Sequence, residues 1–340
     1  MKSIPVIDIS PFLADPAAAT PPSRAVVDAV RDACEQIGFF VITGHGVPEV
    51  AVDRLVTNAK GFFALPLEEK LRVKKPDGPD SKGYTPMGTK TVGKDRDPTL
   101  KPSLHESYAM GPYVYTDAPY YTCPEAGTSF AGNHWPAAPA GLKDAFISYY
   151  QQMERLGARI LHIFARALDV PDSYFDSRID KHTSILRAIH YPALRETPMP
   201  GEERSAAHTD TTAVTILRID DAPGGLQVQN AAGDWIDVKR IPGSYVINIG
   251  DIMMRWTNDR FLSTMHRVVN PPAAIAARAQ RISVPYFLMP NYDAVIECIP
   301  SCLAPRQSAK YPPVTSGKLL AERLTVTFSK SSDAANAAHA

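Results

Sequence analysis

The sequence has no charge excess of either sign: 36 Lys and Arg stand against 36 Asp and Glu in 340 residues. No run of six or more residues is rich in Lys and Arg. Phosphate contacts dominate nucleic-acid affinity and call for such an excess, so no nucleic-acid partner is expected. No stretch reaches about 18 consecutive apolar residues, so no membrane-spanning helix is expected. The opening Met1-Lys2-Ser3-Ile4-Pro5-Val6-Ile7-Asp8 lacks the apolar run of an export signal. Cysteine is scarce, and Cys34, Cys123, Cys298 and Cys302 form no C-x-x-C pair of the zinc type. Cys298 and Cys302, four apart, read as reduced thiols rather than a disulfide. A cytoplasmic protein is expected.

Proline is what the chain has in excess: 31 residues, against about 5% in average usage. Proline breaks long helices, so many short elements joined by stiff turns are expected. One exception stands out over about 140–168. There Leu142, Phe146, Tyr149, Met153, Leu156, Ile160 and Ile163 form one apolar stripe in steps of four and three. Shorter helices are expected at about 22–36 and 49–63, with a strand between them at Gly38–Val47. Residues 76–140 read as long ordered loops with short strands. From residue 184 the texture is strand after strand, including Ile185–Tyr191, Val214–Arg218, Leu226–Gln229, Tyr245–Ile249, Ser263–Val269 and Arg281–Leu288. Turn signals such as Pro223-Gly224-Gly225 and Asn270-Pro271-Pro272 separate them, the pattern of a sandwich or jelly-roll barrel. The segment Lys310–Phe328 reads as a loop and then a helix containing Leu319, Leu320 and Leu324.

Three spacings carry chemistry. His208-Thr209-Asp210 would place an imidazole and a carboxylate on one face of a strand. His266 lies in a second strand-like run, Ser263–Val269. Two histidines and a carboxylate on different strands of one β barrel can form a facial triad that leaves three octahedral positions open, the arrangement used by non-haem Fe(II) oxygenases. Zinc is the competing metal, with its preference for tetrahedral sites. Arg281-Ile282-Ser283 again sets two polar side chains on one strand face, a fork and a hydroxyl for a carboxylate. The alternative is an arginine paired with an internal acid. Tyr191, before Pro192, could donate to the same carboxylate.

Together these residues resemble the isopenicillin N synthase-like family of Fe(II)- and 2-oxoglutarate-dependent oxygenases. The resemblance extends to Ile4-Pro5-Val6-Ile7-Asp8, Gly44-His45-Gly46-Val47, Phe62-Phe63-Ala64-Leu65-Pro66, Gly225-Leu226-Gln227-Val228 and Asn248-Ile249-Gly250-Asp251, in order over residues 3–328. One departure is Ile189, where many plant members have asparagine. The resemblance implies a mainly β fold with flanking helices around a distorted double-stranded β-helix, a jelly-roll, cupin-like core. It implies Fe(II) held by His208, Asp210 and His266, and 2-oxoglutarate held at its far carboxylate by Arg281, Ser283 and Tyr191, with O2 as co-substrate. The expected organisation is one structural unit: an N-terminal region 1–125, a scaffold helix and connection 126–182, a catalytic core 183–328, and a disordered tail 329–340. The expected reaction is oxidation of a C–H bond in a small molecule of secondary metabolism. Hydroxylation leads over desaturation or cyclisation, with release of succinate and CO2. The alternative is an oxidase of the same fold that does not consume 2-oxoglutarate. Tyr84, Met87, His105, Tyr108, Arg187, Leu217, Phe287 and Leu288 are candidate substrate residues. A monomer or weak homodimer is expected.

Overall fold

The computed structural model describes residues 3–323, except 79, 94–96, 98, 115, 195, 197 and 221–224. The turn at Pro223-Gly224, the end of the last helix with Leu324, and the expected tail 329–340 lie outside the described residues.

Eight strands form the large sheet, in the order Val6–Asp8, Phe39–Thr43, Tyr245–Ile249, Val214–Ile219, Arg281–Leu288, Ile185–Tyr191, Glu106–Met110 and Gly83–Thr85. Its first pair is parallel and the others are antiparallel. A smaller antiparallel sheet runs Ser205–His208, His266–Val268, Leu226–Gln229, Trp235–Asp237. This is the double-stranded β-helix with flanking helices. The region 76–140 contributes the edge strand Gly83–Thr85, its neighbour Glu106–Met110 and a short helix at Pro119–Thr122.

Strand alternation divides the interior into two parts. One face of the large sheet, with Phe40, Ile42, Val214, Ile216, Ile247, Val284, Tyr286 and Leu288, joins the helices in the main core. The opposite face, with Phe39, Val41 and Val246, meets Leu226, Val228 and Val268 of the small sheet in a second core. The helix Leu142–Ala167 buries the whole stripe named above against the first face. Gly157 lets it come that close: a Cβ there would stand 2.4 Å from Leu288 Cδ1. The even positions of Arg281–Leu288 therefore face the helix, and the odd positions Arg281, Ser283, Pro285 and Phe287 face the cavity between the sheets.

Three strand expectations change. The strand expected at Gly38–Val47 spans Phe39–Thr43, because Gly44 and Gly46 turn the chain at positive φ. The strand holding His208 ends at that residue, so Asp210 lies in the following loop and not on a strand face. The expected strand Ser263–Val269 shrinks to His266–Val268. Its first two residues are occupied elsewhere: Ser263 Oγ donates to Asp251 (2.6 Å) and Thr264 Oγ1 to the Ile37 carbonyl (2.6 Å).

At the far edge of the large sheet, Glu106 is the hub of a buried polar cluster. It accepts from Lys70 Nζ (2.7 Å), Tyr84 Oη (2.6 Å) and His190 Nδ1 (2.8 Å). Burial alone would raise its pKa, but these hydrogen bonds together hold it below the usual glutamate value. A depressed carboxylate contributes stability above its unfolded pKa, and that contribution is lost as pH falls through the folded value. Glu106→Ala would strand the buried Lys70 ammonium, and breaking such a pair costs about 3–5 kcal/mol. Urea unfolding at pH 7 is expected to show that loss, and the difference from wild type is expected to narrow as the pH is taken below about 4.

Candidate metal centre

The antiparallel pairing of the small sheet sets His266 directly opposite His208. Their rings lie 4.3 Å apart, centre to centre. The loop after His208 turns Asp210 back towards them: its Oδ1 is 3.7 Å from His208 Nε2 and 3.8 Å from His266 Nε2. The three ligand atoms all lie within 4.8 Å of one another, the one such group of His, Cys, Asp and Glu among the described residues.

The surroundings fix which atoms face inward. His208 Nδ1 meets the Ala206 carbonyl at 2.7 Å and His266 Nδ1 meets the Thr264 carbonyl at 3.2 Å. Both Nδ1 atoms therefore carry the proton, and both Nε2 lone pairs turn towards Asp210. Asp210 Oδ2 accepts from Thr215 Oγ1 (2.6 Å) and Asn248 Nδ2 (2.8 Å), which leaves Oδ1 for a metal. Burial, then the neighbouring His266, bring the His208 pKa down to about 4, so its imidazole is neutral at pH 7. Burial would raise Asp210, but the two imidazoles and its two hydrogen bonds hold it below the usual carboxylate value. Two imidazoles and one carboxylate, each held from behind, fit a divalent cation with open positions.

Along the same cavity, Arg281 pairs with Tyr191, and Ser283 with Ile189, across adjacent strands. Arg281, Ser283 and Tyr191 are all buried. The Arg281 guanidinium stands 5.7 Å from the Tyr191 ring centre, and the Tyr191 hydroxyl meets Ser283. Gly225, at φ +121°, makes room here, since a Cβ would come within 2.9 Å of the Arg281 guanidinium. This end of the cavity presents a fork and hydroxyls, the donor set that a carboxylate takes bidentately.

The cavity measures about 370 Å³. His105, Arg187, Leu217 and Phe287 line it, as does Leu320 from the helix over residues 316–323. Tyr84, Met87, Tyr108 and Leu288 do not. Tyr84 is locked to Glu106, and Tyr108 packs on Phe62 and Phe146 with its hydroxyl on the His134 carbonyl. Met87 is exposed and Leu288 faces the long helix. Parity would have excluded Leu288, because Arg281, Ser283 and Phe287 already define the cavity face. Residues not foreseen as site residues include Thr215, Asn248, Lys90 and Arg204. Arg204 is wholly buried, 5.7 Å from the Tyr191 ring, with its guanidinium on the Pro192 and Ala279 carbonyls. It sits just before the strand Ser205–His208, and no spacing in the sequence marks it. Nothing in the sequence flags Lys90, which reaches the cavity from a loop.

Two family models match the chain. One is described as the N-terminal region of a non-haem dioxygenase in morphine synthesis, over residues 4–138. The other is the 2OG-Fe(II) oxygenase superfamily, over residues 182–290. A 2-oxoglutarate-Fe(II) type oxidoreductase, hxnY, of Emericella nidulans is 35% identical over 92% of this chain and 86% of that relative. A homoarginine-6-hydroxylase of Oryza sativa subsp. japonica is 32% identical over 96% of this chain and 98% of its own length. The crystal structure of a full-length Neurospora crassa protein in complex with alpha-KG and thymine superimposes with a TM-score of 0.82, at 31% identity, over 95% of this chain and 97% of that one.

Proposed function

Because the chain belongs to the 2OG-Fe(II) oxygenase superfamily, we propose that His208, Asp210 and His266 are its iron ligands. Arg281, Ser283 and Tyr191, in the same reading, hold the far carboxylate of 2-oxoglutarate. The enzyme is an Fe(II)- and 2-oxoglutarate-dependent dioxygenase that oxidises a C–H bond of a small molecule and releases succinate and CO2. The observation that carries the residue assignment is the convergence of His208, Asp210 and His266 within 4.8 Å at the wall of one cavity.

Iron, when bound with 2-oxoglutarate and O2, supplies the oxidising power for the C–H bond. The chain's residues set the conditions. Thr215 and Asn248 fix Asp210 so that one oxygen faces inward. The Ala206 and Thr264 carbonyls fix both imidazole tautomers. Arg281 supplies the positive charge that makes burial of a dianion affordable, and the strand pairing of Arg281 with Tyr191 keeps its fork in one orientation. Leu217, Phe287, Met289 and Leu320 give the substrate side an apolar wall that limits water.

Hydroxylation is the proposed outcome, supported by the hydroxylase among the relatives. The proposed setting is the cytoplasm, as a monomer or weak homodimer. In support, the four cysteines are unpaired, and among the described residues no helix is long and apolar enough to cross a membrane. Incubation with Fe(II), 2-oxoglutarate, O2 and a panel of small metabolites is expected to release succinate and CO2 in step with one oxidised product. Product formation with no 2-oxoglutarate consumed would instead make the enzyme a 2-oxoglutarate-independent oxidase.

A further inference from the structure

The charges lining the cavity do not cancel. Its described walls carry Lys82, Lys90, Arg187 and Arg281 against Asp80 and Asp210. Lys82 and Asp80 pair at 3.2 Å. Fe(II), the 2-oxoglutarate dianion, Asp210 and Arg281 balance one another under the reading above. Burial lowers His105 to about 4, so it is neutral at pH 7 and adds no charge. Arg187 remains, with no counter-ion among the described residues, and Lys90 stands near it, partly protonated at pH 7 and charged more fully once an anion lies beside it.

Arg187 belongs to the strand that carries Tyr191, on the same cavity-facing side, with Ile189 between them. Four residues at about 3.3 Å each put these two ends of the cavity about 13 Å apart. The Arg281 end is taken by the co-substrate. At the other end, no ion pair or hydrogen bond to another described residue engages the Arg187 guanidinium, and its buried Nε has no hydrogen-bond partner. It lies 5.4 Å from the Phe287 ring. Lys90 comes in from the loop above, and no ion pair engages its ammonium among the described residues. Proximity to Arg187, and then burial, bring the Lys90 pKa down to about 7. Asp210 acts favourably on both cations, which places them on the metal's side of the cavity. An arginine left facing a cavity in this way is unfavourable until an anion enters.

We propose that Arg187 and Lys90 form a second anion anchor in the cavity and that the prime substrate is a small carboxylic acid with an apolar or aromatic body. Its carboxylate lies between the guanidinium and the ammonium. Its body lies along Leu217, Phe287, Met289 and Leu320, which keeps the oxidised carbon towards the metal ligands. The inference rests on the oxygenase reading, because the charge balance counts iron and 2-oxoglutarate as bound.

The test uses matched acids and amides: hexanoate and hexanamide, 4-methylbenzoate and 4-methylbenzamide, indole-3-acetate and indole-3-acetamide. Each is titrated calorimetrically into the Fe(II)–2-oxoglutarate protein under argon, and each is scored for stimulated succinate release in air. At least one acid is expected to bind about 10-fold or more tighter than its amide. Arg187→Gln is expected to weaken that acid roughly 10- to 100-fold, and Lys90→Gln to weaken it by a smaller factor. In both variants the amide is expected to shift far less, while Arg187→Lys keeps part of the preference. The acid-to-amide ratio is read within one protein, so a loss of active fraction cannot imitate the effect. If no acid outbinds its amide in wild type, or if both glutamine variants keep the wild-type ratio, the anchor assignment is wrong. Absence of 2-oxoglutarate turnover would count against the oxygenase reading. The argon titrations need no turnover and report on the anchor regardless.

Discussion

Asp210→Ala is expected to abolish substrate-dependent succinate release, with kcat/KM down by at least about 10³-fold. A metal acting on its ligated oxygen is worth several kcal/mol, and each 1.36 kcal/mol is tenfold. Asp210 is the one anion of the triad, and both imidazole Nε2 atoms are oriented towards its Oδ1. Without it two imidazoles remain and no anionic oxygen, a weak site for a hard divalent cation. The variant should fold, because among the described residues the side chain's hydrogen bonds are those to Thr215 and Asn248 on neighbouring strands. Iron content per chain and single-substrate kinetics, measured on the same preparation, check the expectation. Full iron loading with wild-type turnover would remove Asp210 from the ligand set. His208→Ala is expected to behave in the same way, since it removes one of the two opposed imidazoles.

The second large effect belongs to Arg281. Arg281→Met keeps most of the volume and removes the fork. Truncating one partner of a buried, hydrogen-bonded charge pair costs about 2–5 kcal/mol, which corresponds to a roughly 30- to several-thousand-fold weaker Kd for 2-oxoglutarate. Arg281→Lys keeps a charge but loses the planar geometry, so an intermediate loss is expected. Iron affinity should change little in either variant, because the proposed assignment puts Arg281 at the far end of the co-substrate. Anaerobic calorimetry with 2-oxoglutarate separates the two steps. An unchanged Kd in Arg281→Met would mean that this arginine serves the fold or the substrate instead. Arg204, packed on the same tyrosine, would then be the next candidate for the anion.

The site residues recognisable beforehand are those whose chemistry is local. Arg281 and Ser283 are two apart on a strand, and strand alternation alone puts them on one face. His208 and Asp210 have the same spacing but reach one point by another route. The strand stops at His208, and a loop returns Asp210 to the two imidazoles. The apolar stripe of the helix Leu142–Ala167 was equally legible, because helical periodicity depends only on the chain's own geometry. Tyr84 and Tyr108 were not. An aromatic residue reads the same whether it lines a cavity or packs in a core, and only the outer strands with Glu106 and Phe62 place these two in the interior.

What the sequence by itself determined is the set of candidate donor atoms and their order: a histidine, an aspartate and a second histidine, then an arginine and a serine on one strand face. The repeating geometry of helix and strand makes that readable without any distant contact. What only the tertiary structure decided is which charges meet. The loop that brings Lys90 beside Arg187, and the sheet pairing that reserves Tyr191 for Arg281, join residues far apart in the chain. Whether a cation is already neutralised or is left for a ligand depends on those contacts, because charge pairing is a matter of ångströms in space and not of position along the sequence.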